Sequence, residues 1–86
     1  MLEKGLIEEK IRKIIKKNTL YKDSIYEIKN DESLQIDSVD ALEVLVALEE
    51  VFDITISDEE LFPQTLENIS QIVDFIYKKL SLLKSI

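Results

Sequence analysis

The chain has no cysteine, no histidine and no tryptophan, and one glycine and one proline among its 86 residues. Without cysteine there are neither disulfides nor thiolate metal sites, which fits the cytoplasm. Without histidine the commonest general base near neutral pH and the commonest metal ligand are both missing. Ser-His, Cys-His and zinc-bound-water chemistry therefore cannot be built from these side chains. Paired carboxylates remain, but they need a pocket to separate their pKa values. A chain this short buries only about 60–65% of its unfolded surface, which leaves little room for a core and a deep cleft together. The reading is of a protein that is not an enzyme, with no catalytic residues of its own.

Gly5 and Pro63 alone supply little turn chemistry, whereas Leu, Ile, Glu and Lys are abundant. That balance predicts an all-α fold with polar loops. No apolar run is long enough to cross a bilayer, and Met1-Leu2-Glu3-Lys4-Gly5 turns charged at once, unlike a secretory signal. The expectation is a single cytoplasmic domain over 1–86, monomeric, with neither membrane nor nucleic acid as partner.

Cations are missing from one long stretch. Residues 1–30 carry eight Lys/Arg against five Asp/Glu, and residues 78–86 carry three lysines. Between them, residues 31–77 carry thirteen Asp/Glu and no Lys or Arg, so the net charge of −7 conceals a segment of −13. Such a segment forgoes local salt bridges and accepts self-repulsion. An acidic face of this kind steers basic partners and disfavours nucleic acid and anionic membrane. The acids do not follow the spacing of a calcium loop, and no glycine follows Gly5 to make its turn, so no metal site is expected.

Helical periodicity is clear in three places. Leu2, Leu6, Ile7, Ile11, Ile14 and Ile15 predict a first helix over about 2–18, with Asn18 as a C-cap. Residues 19–36 lack a clean period and predict a long loop pinned by Tyr21, Ile25, Tyr26, Ile28, Leu34 and Ile36, with a short helical turn near 22–27. A second helix is predicted from Ser38 to Phe52, with Asp37 or Ser38 as N-cap and Leu42, Leu45, Leu48 and Phe52 inward. Ile54-Thr55-Ile56 reads as an extended connector and Ser57 as the cap of a short helix near Asp58–Phe62, which Pro63 stops. A last helix is predicted over Leu66–Leu83, with Ile69, Ile72, Val73, Ile76 and Leu80 on one face. The architecture is a bundle of three main helices plus one short helix, with the long loop between the first two.

The chemistry lies in Leu34-Gln35-Ile36-Asp37-Ser38-Val39-Asp40-Ala41-Leu42-Glu43. Ser38 stands at a helix start after a long loop, so its hydroxyl should be approachable. An anion attached there would meet the free amides of the first turn. That is worth about 0.3–1 kcal/mol, partly offset by Asp37 and Asp40. Spacing alone favours Ser38 as an ordinary N-cap. Val39, Glu43, Val46 and Glu50 recur at i, i+4, i+7 and i+11 and share a stripe, flanked by Asp40, Ala47 and Glu49. Valines in line among carboxylates have the form of a docking strip, apolar at the centre and charged at the rim.

On these residues the chain resembles the acyl carrier proteins and the wider phosphopantetheine-bearing carrier domains. Ile36-Asp37-Ser38-Val39 is similar to the family's Asp-Ser-Leu signature, Asp40 to Phe52 to its recognition helix, and Ile54 to Glu60 to the stretch entering its short helix. The resemblance covers about residues 2–80 and is most specific over 34–60. It implies an acyl-carrier-like bundle in which Ser38 carries a 4'-phosphopantetheine arm, joined by a phosphopantetheinyl transferase from coenzyme A. The arm's thiol, which this chain cannot supply, would hold an acyl group as a thioester for fatty-acid, polyketide or related biosynthesis. It further implies that Asp37, Val39, Asp40, Glu43, Val46, Glu49 and Glu50 meet basic surfaces on the transferase and on acyl- or aminoacyl-loading and condensing enzymes.

Three features depart from the family pattern: Gln35 where Gly is usual, Val39 for Leu, and a longer stretch from Leu61 to Asn68. The last bears on the cargo, for which an aminoacyl or peptidyl group, including D-alanyl, is the alternative. A separate alternative is an unmodified acidic helical adaptor.

Overall fold

The first helix forms because isoleucine recurs at helical spacing on one side of a lysine-rich segment. In the computed structural model, which describes residues 3–57 and 66–84, α1 spans Lys4–Asn18 and buries Ile7, Ile11, Ile14 and Ile15. Leu6 was expected on that face but is exposed, and Leu2 lies outside the described residues. The helix end is closed by side chains: Asn18 Nδ2 donates to the Ile14 carbonyl at 2.8 Å, and Thr19 Oγ1 to the Ile15 carbonyl at 2.7 Å. Asn18 is thus the last helical residue and Thr19 occupies the cap position. On the outward face Lys13 and Lys17 are exposed and Lys10 is half-buried. None of the three forms an ion pair among the described residues.

The long loop contains one 3-10 turn, Lys22–Tyr26, as the sequence predicts. Ile25 is fully buried, and Tyr21, Ile28 and Leu34 pack against the core from its edge. The chief anchor is Arg12, only 7% exposed. Its Nη1 donates to the Ile25 carbonyl, its Nη2 to Asn30 Oδ1 at 2.7 Å, and its Nε to Glu8 Oε2 at 3.2 Å. Asn30 Nδ2 completes the ring by donating to Glu8 Oε1 at 2.7 Å. Farther along, the Ser70 amide donates to the Asn30 carbonyl at 2.9 Å and the Leu34 amide to the Glu67 carbonyl at 2.8 Å. The loop is therefore tied to α1 on one side and to the start of the last helix on the other. Lys16 pairs with Asp23 at 2.8 Å, and this hydrogen bond, reinforced by the carboxylate's charge, raises the Lys16 pKa.

Helix α2 spans Ser38–Phe52 and buries Val44, Leu45, Leu48 and Phe52. The expectation of Leu42 on the inner face is corrected: Leu42 is 58% exposed and Val44 takes the buried place. The segment is apolar at so many positions that periodicity alone does not single out the inner face. The helix ends at Asp53, whose φ of 54 and ψ of 53 are left-handed, and its amide donates to the Glu49 carbonyl. Aspartate is among the few non-glycine residues that tolerate this conformation.

Helix α3 spans Ile69–Lys84 and starts three residues later than its apolar pattern predicts. Asn68 accounts for the difference, its Oδ1 accepting from the Gln71 amide at 2.8 Å as an N-cap. Ile69, Ile72, Val73 and Ile76 are buried and Leu80 packs at the core's edge, as expected. The short helix predicted near 58–62 falls outside the described residues. Among the described residues there is no strand, and the three helices with the long loop match the all-α reading. Helix α1 packs against both α2 and α3, and Ile54 and Ile56 of the connector enter the same core. Lys4 bridges α1 to Asp74 of α3 at 3.2 Å, and Lys79 donates to the Thr55 carbonyl at 2.8 Å.

Because Arg12 satisfies three acceptors at once, Arg12→Ala should lower stability by about 2–4 kcal/mol in urea denaturation. Lys13→Ala, on the exposed face, should change it by less than about 0.5 kcal/mol.

Candidate functional site

Ser38 is exposed and occupies the first helical position of α2. The N-cap is Asp37, the choice that the sequence left open: its Oδ1 accepts from the Asp40 amide at 2.8 Å and its carbonyl from the Ala41 amide at 2.8 Å. Since Asp37 does the capping, the Ser38 hydroxyl is left without a hydrogen bond among the described residues. The amides of Ser38 and Val39 likewise find no backbone partner there. A phosphate ester on Ser38 fits this place, with open space around the hydroxyl and the positive end of the helix dipole beside it.

The approach to Ser38 is held at adjacent positions. The Leu34 amide reaches the Glu67 carbonyl, and the Gln35 amide donates to the Tyr21 hydroxyl. Ile36 is half-buried and Asp37 is exposed.

Val39, Leu42 and Val46 are 66%, 58% and 52% exposed, and at i, i+3 and i+7 they form one apolar band running from Ser38 along the outer side of α2. Glu43 and Glu50 are exposed beside it. Together with Asn18 from the end of α1 and Ala47, Leu42, Glu43, Val46 and Glu50 line a shallow open groove. Val39, Glu43, Val46 and Glu50 thus share one surface as predicted, and sequence reasoning missed Leu42. Its spacing between Val39 and Val46 carried the signal, which was spent on the core instead.

Glu49 is different. It is half-buried and its Oε2 accepts from the Ile56 amide at 2.8 Å, while its carbonyl accepts from the Ile54 amide at 3.1 Å. Its carboxylate braces the connector rather than standing free at the rim. Asp40 is half-buried next to the cap. Among the described residues none of Asp37, Asp40, Glu43, Glu49 and Glu50 is in a salt bridge, and no group of three or more acidic residues is placed to hold a metal ion.

The brace separates two carboxylates that sequence reasoning treats alike. Glu49→Ala should cost about 1–2 kcal/mol in thermal or urea unfolding, and Glu49→Gln, which keeps an acceptor oxygen, clearly less. Glu43→Ala should leave the midpoint within about 0.5 kcal/mol of wild type.

The family model for the phosphopantetheine attachment site matches residues 9–76. The acyl carrier protein of Buchnera aphidicola subsp. Acyrthosiphon pisum (strain Tuc7) is 44% identical over 78 residues, covering 85% of this chain and 91% of the relative. The acyl carrier protein of Buchnera aphidicola subsp. Schizaphis graminum (strain Sg) is 39% identical over 77 residues, covering 85% of this chain and 92% of the relative. By the match over residues 9–76 and the likeness to these relatives, the chain belongs to the phosphopantetheine attachment-site family, the carrier domains whose prosthetic group is 4'-phosphopantetheine.

Proposed function

We propose that this chain is an acyl carrier protein and that Ser38 is the residue to which the arm is joined. The observation that carries the assignment is the exposed Ser38 hydroxyl at the first position of α2, relieved of capping by Asp37. The arm, once bound, supplies a thiol that holds an acyl group as a thioester. The chain's own residues do the rest. Ser38 offers its oxygen for a phosphodiester taken from coenzyme A, and Asp37 fixes the helix start that presents it. Val39, Leu42 and Val46 give a partner an apolar seat, and Asp37, Asp40, Glu43 and Glu50 surround that seat with negative charge.

Such a surface fits enzymes with basic docking patches: a phosphopantetheinyl transferase first, then the enzymes that load and use acyl groups. Charges at the rim govern mainly the rate of association and its salt dependence, and the apolar centre the lifetime of the complex. Glu49 takes part in docking only indirectly, by holding the end of α2. The absence of histidine and cysteine supports a non-catalytic role. Among the described residues no helix is long and apolar enough to cross a membrane. We read the chain as a single monomeric carrier domain working in the cytoplasm, where coenzyme A is at hand.

Incubation with coenzyme A and a phosphopantetheinyl transferase should add the mass of one arm to the wild type and none to Ser38→Ala. A wild type that stays unmodified with several transferases rules out the assignment and leaves an acidic adaptor. In the same assay Glu43→Lys or Glu50→Lys should lower kcat/KM about three- to tenfold at low salt. The gap should narrow near 0.15 M salt, where the Debye length is about 8 Å.

A further inference from the structure

We infer that Tyr21 is a positioning residue for the modification of Ser38, acting through the peptide of Gln35. The inference rests on the assignment of Ser38 made above. Three residues before that serine, the chain has a glutamine where the resemblance leads one to expect glycine. Gln35 does not use the freedom of a glycine: among the described residues those with positive φ are Lys22 and Asp53. Its backbone is held from outside instead. The amide of Gln35 donates to the Tyr21 hydroxyl, and the neighbouring Leu34 amide donates to Glu67.

Tyr21 is well placed for this work. Its ring is half-buried against the core, so the hydroxyl is carried on a support that does not swing. Its own amide donates to Thr19 Oγ1 at 3.2 Å, and its carbonyl accepts from the Ser24 amide at 3.1 Å. The next residue, Lys22, is held at φ 53, a conformation that a lysine adopts only where its surroundings impose it. One side chain therefore joins the start of the long loop to its end and closes the segment that delivers Ser38. A serine presented on a fixed backbone loses little freedom when it meets the transferase, and a loosened one must be ordered during the reaction. The docking strip lies on α2, and among the described residues none of Val39, Leu42 and Val46 shares a side-chain hydrogen bond with this tether, so loosening it should act on turnover and spare recognition.

The test is Tyr21→Phe, which keeps the ring in the core and removes only the acceptor. Tyr26→Phe, an exposed tyrosine of the same loop, is the control. Amide hydrogen exchange of the unmodified protein should show Gln35 exchanging about tenfold faster or more in Tyr21→Phe, with the amides of α1 and α3 unchanged. Arm transfer should show kcat lower by about three- to tenfold at unchanged KM, the size of one hydrogen bond. Tyr26→Phe should match the wild type in both measurements. Unchanged Gln35 exchange, unchanged kcat, or a general rise in exchange over all helices would each overturn the positioning role while leaving Ser38 as the attachment site. A wild type that takes no arm at all would overturn both readings.

Discussion

The fold depends on a cation in its interior. The segment between α1 and α2 is nineteen residues long, with one short 3-10 turn and no apolar rhythm strong enough to fold by itself. A stretch like that needs an internal anchor, and the Arg12 guanidinium provides it by gathering the Ile25 carbonyl, Asn30 and Glu8 around one rigid fork. Lysine, with a single rotatable ammonium, does not offer the same planar set of donors. Because Asn30 also receives the Ser70 amide, the anchor reaches α3, and the end of the loop is fixed before the chain arrives at Asp37.

Around this anchor the core is built mostly of isoleucine. Among the described residues ten of the fifteen buried apolar side chains are isoleucines, drawn from α1, the loop, the connector and α3. Branched side chains start with few rotamers, so burying them sacrifices less freedom, an advantage in a small core. Helix α2 contributes valine, leucine and phenylalanine instead, and among the described residues it exposes Val39, Leu42, Val46 and Val51, more large apolar side chains than any other helix. Its inner side completes the core and its outer side is left for a partner. Asp37 settles where the helix begins, and with it where the serine stands.

Much of this was legible beforehand. Strong periodicity revealed α1 and α3 because their outer faces are charged, which leaves one way to bury the rest. The serine was legible through its neighbours, Asp37 before it and an acidic, apolar-striped helix after it. What stayed hidden was decided by geometry that spacing does not encode. Leu42 and Val44 are interchangeable by composition, and the packing of α2 against α1 chose between them. Glu49 looks like any other acid of the series until the chain turns back at Asp53 and brings the Ile56 amide to its carboxylate. Arg12 reads as one more surface cation, since two of its three partners lie thirteen and eighteen residues away.

The exposed charges of the two helices have a bearing on how a partner meets the molecule. Lys13 and Lys17 on α1 and Glu43 and Glu50 on α2 are exposed and in no ion pair among the described residues, so a net anion presents charges of both signs. Its extents are 37 × 26 × 20 Å, wider than a Debye length of about 8 Å, so an approaching surface senses the nearer charges far more than the farther ones. A basic partner is drawn to the carboxylates and held off by the lysines before any contact forms. Encounters that meet the acidic helix are thereby favoured over those that meet the lysines first.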